Sequence, residues 1–127
     1  MTWKSIGYWL PPAAWAAGIF ALSSMTFPPK PPAFPAQDKV AHMVLYAVLA
    51  ALLFRAFRRE RQWGFRKAAW AALVVASLYG VTDEFHQYFT PTRSVEFLDW
   101  LADTAGAAVV FLACLRRGQD AESSSRS

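Results

Sequence analysis

Apolar residues run along this chain in four long blocks, and charged residues gather between the blocks rather than within them. The first block extends from about Ile6 to Met25, the second from Lys39 to Phe57, the third from Ala68 to Phe89 and the fourth from Val95 to Leu115. A helix needs about 20 mostly apolar residues to cross a bilayer, so each block predicts one transmembrane helix. Pro91 closes the third, because proline lacks the amide hydrogen that would continue a helix. The expectation is an all-α membrane protein, a bundle of about four transmembrane helices.

The connections support that partition. FPPKPPAFP, from Phe27 to Pro35, is too rich in proline for helix or central strand and reads as an extended linker. RAFRRERQWGFRK, from Arg55 to Lys67, sets six basic residues against one acid. The Ser-rich end is polar, so residues 1–117 form the membrane domain and 118–127 a disordered cytoplasmic tail. Lys4 and the apolar stretch after it resemble a secretory signal, but Pro11-Pro12 interrupts that stretch early and it outruns a signal core. It is read as a retained first span.

Charge then orients the bundle. Basic residues near span ends favour the cytoplasm. Placing the 55–67 loop inside also places Lys4, Arg116, Arg117 and Arg126 inside, leaving Lys30, Lys39 and Arg93 outside, a ratio of ten to three. Both termini are then cytoplasmic. The acids run the other way: Asp38, Asp83, Glu84, Glu96, Asp99 and Asp103 fall in the outer half. Acids contribute little to topology, so their gathering points to a site.

Helical spacing predicts which polar groups meet. Ala68, Ala72, Ala76 and Gly80 step by four along the third block, giving a small-residue face for close packing. The next step lands on Glu84, and Gln87 shares its face. Asp83 and His86 are expected to rotate away. Asp38, His42 and Tyr46 form a line with spacing four, as do Asp99 and Asp103, with Gly106 continuing their stripe. Ionisable groups at membrane depth face partners or water, and Arg93, in the short third connection, is the expected cationic partner of the carboxylates. The site read from sequence is therefore Asp38, His42, Tyr46, Glu84, Gln87, Arg93, Asp99 and Asp103. Asp38 and Asp99 also suit helix ends, and Tyr88 and Trp100 an interfacial belt.

Composition removes several classes. The chain is 55% hydrophobic and 17% charged, and the net charge of +4 comes from membrane-flanking blocks rather than a nucleic-acid-reading module. Cys114 stands alone in an apolar run, so neither disulfides nor a thiol-rich metal motif is present. HExxH, GxSxG and Walker phosphate-loop patterns are absent. The sequence names no cofactor, although Asp, Glu and His can ligate a divalent cation.

Written in order, these residues resemble the VanZ-like family of small bacterial membrane proteins. The resemblance rests on Asp38-Lys39, His42, Tyr46, Glu84, Gln87, Pro91, Arg93, Asp99, Asp103 and Gly106, and spans residues 38 to about 112. Two positions depart from it: asparagine is common in the family where this chain has Asp103, and glycine where it has Thr92. The resemblance implies a bacterial cytoplasmic-membrane, cell-envelope protein, in a family named for a member linked to teicoplanin resistance. Three functions fit the residues. One is an envelope protein whose outer polar site binds a lipid head group, an envelope precursor or a glycopeptide. Another is a membrane-embedded hydrolase or transferase acting on a lipid-linked substrate. An ion-coupled transporter is disfavoured, because the polar residues stop in the outer third.

Overall fold

The structure is a computed structural model that describes residues 2–25, 37–89 and 97–126. Four helices account for them: α1 (Trp3–Ser24), α2 (Gln37–Arg59), α3 (Phe65–Tyr88) and α4 (Phe97–Arg126). The proline-rich linker, Pro91, Thr92, Arg93 and Glu96 lie outside the described residues.

Each helix starts or stops for a local reason. Thr2 caps α1, accepting the Ser5 amide at 3.1 Å. Gly64 precedes α3, and Gln62 takes a left-handed φ of 57° in the tight turn after α2. α4 passes the predicted end at Leu115 and continues to Arg126; Gly118, a residue that often ends a helix, is instead held inside it, packed against Phe65 of α3. The segment expected to be a disordered tail is helical through Arg126, buried at Gly118 and exposed from Gln119 on.

α2, α3 and α4 pack together, and α1 lies along α2 and α3. The core is built from Tyr46, Leu49, Ala50, Leu53, Ala72, Ala76 and Ala107, joined by Ile19 of α1. Alanine dominates where the helices cross, which brings the backbones close. On the opposite face of α3, Val74, Leu78, Val81 and Phe85 are exposed at helical spacing. Polar side chains inside and branched apolar ones outside invert the arrangement of a water-soluble bundle, and suit a surface bathed in lipid.

α2 and α4 are long and apolar enough to cross a membrane. α1 and α3 match them in length, at 22 and 24 residues. Trp, Tyr and Pro dilute the hydropathy of α1, and the Asp83-Glu84 pair that of α3.

Lipid supplies no hydrophobic drive between helices, so polar contacts have more to do. α1 is tied at one end by Ser5 to Glu60 and at the other by Ser23 to Asp83. Midway, the Trp15 indole donates to the Leu45 carbonyl at 2.9 Å. Ser77 and Thr104 link α3 to α4 at 2.9 Å, and the Trp100 indole donates to the Ser77 carbonyl at 3.1 Å. Trp100 therefore points its polar edge inward.

Candidate functional site

The line Asp38–His42–Tyr46 descends from the rim into the bundle. At 1.5 Å of rise per residue it covers about 12 Å. The Asp38 side chain is 66% exposed and accepts from Lys39 Nζ at 2.9 Å. Lys39 also reaches across to Asp99 of α4, so the two acids form a lysine-bridged rim. One turn deeper, His42 Nδ1 lies 2.7 Å from Asp103 Oδ1. Asp103 is wholly buried, as is Tyr46 a further turn down.

Two glycines make this depth accessible to a carboxylate. A Cβ on Gly106 would sit 2.1 Å from the Met43 carbonyl oxygen, so α4 rests directly on the α2 backbone beside His42. A Cβ on Gly80 would lie 3.0 Å from Asp103 Oδ2, and the missing methyl leaves that oxygen its room. Among the described residues, Asp103 Oδ2 has no hydrogen-bond partner, and the Tyr46 hydroxyl makes none of good geometry, with Asp83 beside it.

α3 corrects one sequence expectation. Glu84 and Gln87 are buried as their stripe predicts, but Asp83 is buried too. A strict step of four from Gly80 selects Glu84, whereas the helix repeats every 3.6 residues, so positions 83 and 84 straddle one inward line. Asp83 accepts from Ser23 of α1, and Gln87 Nε2 donates to the same hydroxyl at 3.3 Å. His86, also expected to turn away, lies on the flank facing α1. It stacks on Phe20 with centroids 4.3 Å apart, and its Nε2 is 2.7 Å from Ser24 Oγ. Ser23 is the site residue that sequence reasoning missed. Serine at a span end carries no periodic signal, and the residues quoted for the family resemblance begin only at Asp38.

The result is a compact interior cluster. His42, Asp83, Glu84 and Asp103 each offer one ligand atom, and all four atoms lie within 4.8 Å of one another. Tyr46 lies beside Asp83 at its deep edge. Asp38 and Asp99 stay with Lys39 at the rim, and Gln87 turns to Ser23. Arg93, the expected cationic partner, lies outside the described residues.

A cavity of about 190 Å³ leads to the cluster between α1 and α2. Asp38, His42, Tyr46, Ser23 and Asp83 give it a polar side, and Ile19, Leu22 and Leu45 an apolar one. Such a lining suits a molecule with a polar head and a greasy neighbour. Inside, carboxylates outnumber the single imidazole, so the centre favours a hydrogen-bond donor or a cation over a bare anion.

The fold and this cluster define an all-α membrane bundle with a polar site built into one end. The chain matches the family described as VanZ/LLP1 over residues 4–117 and belongs to it. The match takes in α1, which the sequence resemblance did not cover. Comparison with curated proteins and with solved structures finds no match.

Proposed function

We propose that this protein crosses the bacterial cytoplasmic membrane four times, with both termini in the cytoplasm, and holds an envelope ligand in a polar site near the outer surface. The ligand is the polar head of a lipid or lipid-linked precursor, or a glycopeptide of the teicoplanin type. The carrying observation is the cavity between α1 and α2, polar on the His42–Asp83 side and apolar on the Ile19–Leu22 side. The ten-to-three basic asymmetry supports the orientation.

Topology is tested by single cysteines in a Cys114→Ser background. Ala33→Cys and Thr92→Cys should react with an impermeant thiol reagent on intact cells, and Gln62→Cys should react only after lysis. Labelling of position 62 in intact cells, with 33 protected, inverts the orientation.

The ligand reading is tested by expressing the chain in a teicoplanin-susceptible host. Tolerance should rise above the empty vector, and His42→Ala should return it to that level at equal protein abundance. An unchanged His42→Ala phenotype removes the cluster from the function.

One observation favours a second reading. His42 and Asp103 form a histidine–carboxylate pair in which the acid can orient the imidazole for proton transfer. A hydrolase or transferase acting on a lipid-linked substrate would use it.

A further inference from the structure

We infer that the interior cluster binds one divalent cation of the Mn²⁺ or Zn²⁺ type, with His42, Asp83 and Glu84 as ligands and Asp103 as the carboxylate that fixes the imidazole. The inference stands on the cluster's own atoms. It holds or fails whatever the envelope ligand is.

Geometry comes first. Metal bonds to imidazole nitrogen or carboxylate oxygen are about 2.0–2.2 Å long, which puts tetrahedral neighbours roughly 3.4 Å apart and opposed octahedral ones roughly 4.2 Å apart. One atom from each of His42, Asp83, Glu84 and the orienting Asp103 falls within 4.8 Å of the others, so closing the shell asks for about 0.6 Å of movement at an opposed octahedral pair and about 1.4 Å at a tetrahedral one, with Nε2 as the ligating nitrogen because Nδ1 meets Asp103. Small rotations of Asp and Glu side chains supply that. The ligands come from two helices, α2 and α3, and the third helix of the core, α4, brings the orienting acid. Such an assembly is rigid where it has to be.

The pairing of His42 Nδ1 with Asp103 Oδ1 at 2.7 Å is a second element. A ligating histidine usually donates its other ring N–H to a carboxylate, which sets the tautomer and aims the free nitrogen. Asp103 is placed for that task and is shielded from solvent by α3.

The Tyr46 hydroxyl gives independent support. It is wholly buried, shares the cavity with His42 and Asp83, and makes no hydrogen bond of good geometry among the described residues, the Asp83 carboxylate being the polar group beside it. A buried hydroxyl left unsatisfied is costly. A water on the cation would give it a partner, and three protein ligands leave coordination positions for such a water. The mixed set of one imidazole and two carboxylates selects the ion type, since imidazole suits zinc and carboxylates suit manganese.

The test uses the full chain purified in detergent, stripped with a chelator and titrated with Mn²⁺ while free Mn²⁺ is followed by electron paramagnetic resonance. Wild type should take up one Mn²⁺ per chain, displaceable by Zn²⁺. His42→Gln and Asp83→Asn should each weaken binding at least about ten-fold, and Asp120→Asn, on the exposed end of α4, should leave it unchanged. Circular dichroism confirms that each variant is folded, and if His42→Gln is not, Asp83→Asn decides alone. Absence of a saturable site in wild type overturns the inference. So does full binding by the folded variants, which would put the ion elsewhere.

Discussion

Gly106→Ala is expected to lower the stability of the bundle more than any other single added methyl. Its Cβ would stand 2.1 Å from the Met43 carbonyl oxygen and 3.0 Å from the Met43 Cα. Those are backbone atoms, so no rotamer change relieves the clash and α2 and α4 must part. Overpacking of this kind costs about 1–3 kcal/mol, and a backbone contact belongs at the upper end. The harm should extend to the site. Met43 follows His42, and Gly106 lies one turn from Asp103, so separating the helices there stretches the His42–Asp103 bond. Gly118→Ala makes a useful contrast, because its Cβ meets the Phe65 side chain at 2.7 Å rather than backbone. Gly7→Ala, inside α1 with nothing within 4 Å, should leave the midpoint unchanged or raise it, by up to about 1 kcal/mol of helix propensity. Thermal midpoints in one detergent rank the three. A Gly106→Ala midpoint equal to wild type would mean that the close approach of α2 and α4 is wrong.

Much of this fold is legible in the sequence because lipid imposes a simple demand, a run of apolar residues long enough to cross. The four blocks correspond to the four helices, and the stripe from Ala68 to Glu84 is buried along its length. Where the reading went astray, the cause is local. Asp83 turns inward against expectation because three residues close a helical turn as well as four do. The 118–126 segment looked like a tail because composition speaks to burial and not to whether a helix simply runs on. Ser23 could not be found, since what singles it out is the arrival of α1 against Asp83, a contact between residues 60 apart in the chain. Of the eight site residues expected, His42, Glu84 and Asp103 meet in the cluster, with Tyr46 at its edge. Asp38 and Asp99 share Lys39 at the rim, Gln87 serves α1, and Arg93 lies outside the described residues.

Position 103 separates binding from chemistry. Asn keeps the size of Asp and one acceptor oxygen, which can still receive the His42 ring N–H, but it loses the charge and the capacity to exchange a proton. Its amide would replace Oδ2, which already has no hydrogen-bond partner among the described residues. The structural cost of Asp103→Asn should therefore be about 1 kcal/mol. Leucine differs on both counts: it removes the acceptor of the half-buried imidazole, worth about 1–3 kcal/mol at most, and puts a branched methyl into the narrow space that the missing Gly80 side chain leaves for Oδ2. The expected result is that Asp103→Asn retains the thermal midpoint within a few degrees and preserves whatever phenotype the wild type confers in the teicoplanin assay, whereas Asp103→Leu loses both. That pattern fits a carboxylate whose work is to hold His42. If Asp103→Asn is instead inactive while remaining abundant, folded and membrane-inserted, the proton or the charge at this position matters in itself. The hydrolase or transferase reading then displaces simple binding, with His42 and Asp103 as its acid–base pair.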